Sequence, residues 1–220
     1  MKRFAKYCLA LSPILMFSSA ASASTIIVNC STVSGPTELV AAGIVCPQFS
    51  LGGPLSEISI AVSGGISGSI TLTNGDFTSH TGTGTTTTSF NFGALSGFSF
   101  VNPVFDASFT TGLRTLNAGQ ILTVSGLTDS DVGSLGIDTT LFAPYTGAGN
   151  FTIPVSTSTL FSAAGQGGFF LGAQTSSANA TAVVTYTYGP AAPAVPEPTT
   201  LSLLGLGLLG IGFKARKFRR

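Results

Sequence analysis

The sequence predicts an all-β protein, an antiparallel β-sandwich of jelly-roll or immunoglobulin-like type, and three observations predict it. Apolar residues in the middle of the chain recur with period two, not with the 3.6-residue period of a helix. Gly, Ser and Thr interrupt these runs at short intervals, with 28 glycines among 220 residues. No segment between residues 24 and 189 carries an amphipathic helical pattern. Short strands with one apolar and one polar face assemble as two-layer antiparallel structures. Hydrophobic residues, 44 % of the chain, are enough for a core, whereas a disordered chain is poor in Val, Ile and Phe. To this body the sequence adds an N-terminal signal helix and a short C-terminal hydrophobic helix.

Residues 1–23 read as a secretory signal peptide. Lys2, Arg3 and Lys6 form a positive start, and Tyr7 to Phe17 is an apolar run too short to span a bilayer. Ala21-Ser22-Ala23 is a small-x-small site, which places signal-peptidase cleavage between Ala23 and Ser24. The competing reading is a buried N-terminal helix. Cys8 leaves with this segment, so the mature chain keeps Cys30 and Cys46. In an oxidising compartment an even pair predicts a disulfide, worth roughly 3 kcal/mol on the chain-entropy model. The alternatives are free thiols or half of a metal site. Zinc would need two further ligands, and His80 is the single histidine, so no metal is expected.

Residues 24–189 form the sandwich domain. Ile58, Ile60 and Val62 alternate with Ser59, Ala61 and Ser63, and Ile66, Ile70 and Leu72 keep the same parity. Asn74-Gly75 follows as a hairpin signal. Thr86, Thr88, Phe90 and Phe92 alternate next, then Phe98 and Phe100, with Leu122 and Val124 in another run. Ala182, Val184, Tyr186 and Tyr188 close the series. Residues 58, 60, 62, 70, 72, 184, 186 and 188 are therefore expected to face inward, and the phenylalanines to be core.

Charge is segregated. Arg114 is the one cation of the body, against Glu38, Glu57, Asp76, Asp106, Asp129, Asp131 and Asp138. A body so acidic cannot neutralise a phosphate backbone, so nucleic acid is excluded as a partner. The basic ends read as membrane-topology signals.

Residue types for chemistry are sparse. His80 falls in a Gly/Thr-rich loop, Asn74 to Thr88, and reads as an exposed loop histidine without the partners of a triad. No G-x-S-x-G elbow occurs in the body. Seven acids allow a glycosidase pair without pointing to one. Asp129, Asp131 and Asp138 could offer oxygens to calcium, but the spacing is not that of an EF-hand loop, and turn or cap roles are the simpler reading. The chain has no Trp, and Tyr186 and Tyr188 share a face with Val184, which favours core over a sugar-stacking platform. Gly205 to Gly210 matches G-x-G-x-x-G, but no βαβ unit surrounds it, so it is no dinucleotide site. No enzyme activity and no cofactor are expected.

Residues 190–198 form a Pro-rich, stiff, extended linker that contains Pro196-Glu197-Pro198. Residues 199–220 complete the tail. The apolar run Leu201–Phe213 is about 20 Å long as a helix, short of a bilayer core of about 30 Å. Gly205, Gly207, Gly210 and Gly212 weaken it further. Lys214, Arg216, Lys217, Arg219 and Arg220 then act as a cytoplasmic stop-transfer cluster. The run can hold the chain at the inner membrane transiently but makes a poor permanent anchor.

A Pro-Glu-Pro triplet, a short Gly/Leu run and an Arg-rich end, behind an N-terminal signal, resemble the PEP-CTERM sorting signal of Gram-negative bacteria. That resemblance implies processing by an exosortase, a membrane cysteine peptidase, and an association with exopolysaccharide and biofilm. A second resemblance lies in the body. Gln48 to Leu55, Ile58 to Val62, Gly65 to Asn74 and Val183 to Tyr188 are similar to the start and end of the choice-of-anchor E domain. That family is defined by sequence, carries no assigned activity, and often has Asp where Ser50 stands here. The sequence thus reads as a structural protein of the cell surface or extracellular matrix. A carbohydrate-binding module is the alternative and a hydrolase the third reading. N-terminal sequencing of the exported protein is expected to begin at Ser24; a retained Met1 would refute the signal assignment.

Overall fold

The computed structural model describes residues 23–97, 100–136, 141–167 and 169–190. The predicted signal helix, the sorting triplet, the hydrophobic helix and the stop-transfer cluster lie outside the described residues, as do Phe98 and Asp138. The described chain is almost entirely β. Its strands are β1 (Ser24–Asn29), β2 (Val33–Pro36), β3 (Ala42–Pro47), β4 (Leu55–Asn74), β5 (His80–Phe92), β6 (Phe105–Thr110), β7 (Arg114–Leu116), β8 (Ile121–Gly136), β9 (Asn150–Gln166) and β10 (Phe170–Tyr188). A single 3-10 turn, Ala143–Tyr145, is the one helical element among the described residues.

The strands form two curled antiparallel sheets. The first has the order β1-β10-β4-β8, with β2 also on β10; the second has β3-β9-β5-β6, with β7 also on β5. The Asn74-Gly75 signal is therefore not a hairpin. β4 and β5 belong to different sheets, so this turn is a corner between layers. Asn74 explains why. Its side chain is fully buried, donates from Nδ2 to the carbonyls of Thr78 and Leu116 (2.8 and 3.0 Å), and accepts the Asp76 N–H at 3.0 Å. A shorter turn would leave those buried groups unpaired.

Parity along β4 holds over its 20 residues. Ile58, Ile60, Val62, Ile66, Ile70 and Leu72 are buried, while Ser59, Ala61, Ser63 and Ser67 face outward. Val184 and Tyr186 on β10 are buried as expected, and Tyr188 is half-buried against the core. Full burial of an aliphatic side chain contributes about 1.5–3 kcal/mol. The apolar face of β4 alone thus outweighs any single staple. Parity breaks on β8. The pairing with β4 shifts between Gly68 and Ile70, and Gly126 takes a φ of 72°, a glycine bulge. Leu122 and Val124 face inward before it; Leu127 and Asp129 do so after it.

Glycines on the inner faces act as sockets for rings. A Cβ on Gly64 would lie 2.6 Å from the Phe90 ring and 2.9 Å from the Phe105 ring. Gly82 and Gly165 hold Phe170 in the same way, at 2.6 and 2.4 Å. Phe90 and Phe105 stack with centroids 4.9 Å apart above Gly64. Not every phenylalanine is core, however: Phe77 and Phe169 are 95 % and 60 % exposed.

Cys30 and Cys46 are disulfide-bonded, with Cα atoms 4.4 Å apart. The bond joins the end of β1 to β3 and so ties an edge of one sheet to an edge of the other. Replacing Gly64 by Val is expected to lower unfolding stability by about 1–3 kcal/mol, because two buried rings must move. Urea denaturation measures this; an unchanged midpoint would refute the socket.

Candidate functional site

The described residues fix where the tail leaves the body. Ser24 pairs with Tyr188, so the expected mature N-terminus and the exit to the linker sit side by side at one end. The exit is secured at several points. The Gly189 N–H donates to the Pro54 carbonyl at 2.9 Å, and Ser56 Oγ donates to the Thr187 carbonyl at 3.1 Å. The Tyr186 hydroxyl donates to the Pro47 carbonyl at 2.8 Å. Phe49 packs on Tyr186 and Tyr188, with centroids 5.5 and 5.2 Å away. Burial pushes the Tyr186 phenol up to about 12, and the neighbouring Tyr145 adds to the rise. Tyr145, whose hydroxyl donates to the Ser96 carbonyl, is raised by its own burial.

The opposite end carries His80. It is the first residue of β5 and its side chain is only 18 % exposed, not in a long exposed loop as the sequence suggested. The strand that Thr86 and Thr88 begin in the sequence reading starts earlier: residues 80 to 85, read as loop, continue its alternation, with Gly82 and Gly84 on the buried face. Asp76 Oδ2 and Thr78 Oγ1 both meet His80 at Nε2, at 3.0 and 2.8 Å. A catalytic relay needs acid and nucleophile on different ring nitrogens; this arrangement ties a corner instead. The Phe77 N–H, then His80, hold the Asp76 carboxyl below its usual range.

Of the three aspartates considered for calcium, the two described ones lie along β8 and not in a turn. Asp129 lies on β8 and accepts the Ser108 N–H of β6 at 2.7 Å, closing one side between the sheets. Asp131 accepts the Val132 N–H at 2.8 Å, and Asp138 is outside the described residues. Among the described residues no three His, Cys, Asp or Glu side chains come together. A shallow cleft of about 590 Å³ lies on the outer face of the first sheet, between Ser63, Ser67, Ser130 and Asn179, with Gly65 in its floor. Hydroxyls, the Asn179 amide, Asp129, Asp131 and Val132 line it, a pattern with no sequence motif to announce it. Among the described residues no helix is long and apolar enough to cross a membrane.

A family model described as the PEP-CTERM protein-sorting motif matches residues 194–220. The chain carries a PEP-CTERM sorting motif. The motif implies export, membrane-associated sorting and processing by an exosortase, as for a cell-surface protein. In this PEP-CTERM chain the motif begins shortly after the last strand ends at Tyr188. No curated protein matches the chain. Among solved structures it is similar to a chain of the T13 IBDV viral particle, at 13 % identity and a TM-score of 0.18, covering 94 % of this chain and 52 % of that one. It is also similar to a chain of the infectious bursal disease virus Gt strain, at 14 % identity and a TM-score of 0.17, covering 86 % and 42 %. The PEP-CTERM chain thus spans about half the length of these structures or less, and at such scores neither bears on its architecture or role.

The exit predicts an alkaline limit. A phenol raised in the folded state favours its neutral form there, so its stabilising contribution is whole below about pH 10 and is lost as pH rises toward about 12. Absorbance titration near 295 nm is expected to show a tyrosine ionising near 12 that disappears in Tyr186→Phe. Three tyrosines all titrating near 10 would refute the buried exit.

Proposed function

We propose that this chain is a structural protein of the cell surface or extracellular matrix, linked to exopolysaccharide, that the secretory pathway delivers and an exosortase releases or re-attaches. The observation that carries the reading is the PEP-CTERM motif at residues 194–220, placed directly behind a firmly seated final strand. Signal peptidase would cut after Ala23, and the exosortase would recognise Pro196-Glu197-Pro198 and remove Leu201 to Arg220. The extended linker presents the triplet to a protease groove. The basic cluster from Lys214 to Arg220 keeps the tail's end cytoplasmic while the short apolar run pauses the body at the membrane.

The geometry of the body supports this order of events. Both chain ends leave at one end, so a signal peptide and a sorting tail can sit in one membrane without straining the domain. β10, the last strand made, lies between β1 and β4 in the first sheet. That sheet cannot close until residues 170–188 have cleared the membrane, and a tail that pauses there gives the body time to fold. The acidic surface does not cling to anionic lipid once the tail is gone.

We read the body as a jelly roll. Taking β1 with β2, and β6 with β7, as single broken strands, the two sheets have the orders 1-8-3-6 and 2-7-4-5. The stretches that resemble a choice-of-anchor E domain are neighbours in it, since Val183 to Tyr188 pair with Leu55 to Ala61. Mass spectrometry of the surface protein is expected to find a C-terminus within the tail in the wild type. An intact Arg220 is expected when the exosortase is deleted or when Pro196, Glu197 and Pro198 are replaced by Ala. Arg220 persisting in the wild type would refute sorting and leave a permanent anchor.

A further inference from the structure

Most free edges of the two sheets carry features that oppose pairing with another strand. β8 has Asp129 and Asp131 on it and is bent by the Gly126 bulge. β6 carries Asp106, β3 ends on Pro47 and β2 on Pro36. Charge, bulges and proline are the usual means of blunting an edge.

β1 has none of them, and neither does the uncovered part of β9. β3 covers β9 only from Asn150 to Val155, and the Thr157 N–H is taken by the Leu39 carbonyl at 3.0 Å. Beyond that point Ser158 to Gln166 pair with β5 on one side only. The Thr157 bond fixes the direction of the rest: the odd-numbered residues turn their N–H and C=O away from β5. Among the described residues the outward main-chain groups of Thr159, Phe161, Ala163 and Gly165 have no partner. The segment Ser158-Thr159-Leu160-Phe161-Ser162-Ala163-Ala164-Gly165-Gln166 contains no charge and no proline, and Leu160 is 73 % exposed. The neighbouring edge of the other sheet, residues 170–175, is equally free of charge; Thr37 covers Ser176, and β2 covers the strand from Ser177 onward.

We propose that this edge is a homodimer interface, in which residues 158–166 pair antiparallel with the same residues of a second copy about a twofold axis at Ser162. The sequence is complementary to itself in that register. Thr159 faces Gly165 of the second copy and Phe161 faces Ala163, so the outward main-chain groups are matched with each other. On the outer face Leu160 lies opposite Ala164, Ser158 opposite Gln166, and Ser162 opposite itself. Each large side chain meets a small one, and no like charges are brought together. A closed twofold contact of this kind uses up this edge on both copies. An unrelated partner chain would find no charge and no deep pocket here to select it.

The full chain with its signal removed provides the test. Ser162→Cys places two thiols opposite each other at the axis, with Cβ atoms about 4.5–5.5 Å apart. The native cysteines are already joined, so the new thiol has only its copy to react with. Mild oxidation is expected to give a covalent dimer of twice the chain mass, while Ser130→Cys on β8 stays monomeric. Ala163→Pro removes an outward N–H that no bond within the chain uses, so it is expected to preserve the β signal in circular dichroism and reduce the sedimenting mass to that of one chain. Leu160→Lys is expected to do the same if the proline variant does not fold. A wild type that sediments as one chain at every concentration, or a Ser162→Cys variant that cross-links no faster than Ser130→Cys, would overturn the interface.

Discussion

All 19 residues of β10 lie against β4, from Phe170 opposite Asn74 to Tyr188 opposite Leu55, and the rest of the structure is arranged around that ladder. It supplies the centre of the first sheet and most of its buried row. Ile58, Ile60 and Val62 on one strand meet Ala182, Val184 and Tyr186 on the other. β1 and β2 can attach only because β10 is there to receive them. The two strands are separated in the chain by three-fifths of the domain. Their pairing therefore carries a large loop-closure cost that only the complete ladder and its burial offset. The position of the sorting tail, directly after the strand that completes the sheet, gains its physical sense from this constraint.

The second constraint is space between the layers. Two twisted sheets with aromatic inner rows do not close at the usual separation of about 10 Å unless something gives way. Here the backbone gives way: Gly64, Gly82 and Gly165 take the rings of Phe90, Phe105 and Phe170. Small residues on β10, Ala178, Ala180 and Ala182, continue the accommodation. The same economy of side chains leaves the outer faces short, polar and almost without charge. Such a surface meets water through hydroxyls more than through ions.

Polar groups inside are few and each has a structural duty. Asn74 holds the corner between the sheets, and Asp129 satisfies an amide on the facing edge of the other sheet. Asp76 and His80 brace the same corner from outside. Thr157 supports the crossing at residues 37–39 by donating to the Thr37 carbonyl and accepting the Leu39 N–H. Among the described residues, Asp76, His80, Asp129 and Asp131 are thus engaged in a corner, an edge and a local backbone bond.

Period-two alternation in β4 and β10 determined the all-β class and the inward set from Ile58 to Tyr186, because burial on one face imposes that pattern directly on the order of residues. The tail motif was equally legible, since recognition of an extended triplet and a short apolar run depends on local order alone. The disulfide was legible by elimination, with two cysteines remaining after the signal. Other features were decided by tertiary structure. Asn74-Gly75 looks the same whether it joins partners in one sheet or turns from one sheet to the other; only the destination of β5 distinguishes them. Gly82 and Gly84 look like loop residues until a facing layer covers them. Phe77 and Phe169 have the same composition signal as Phe90, yet they fall at strand ends where no opposing sheet remains to bury them. Periodicity reports which residues share a face, whereas what lies across from that face depends on contacts between residues far apart in the chain.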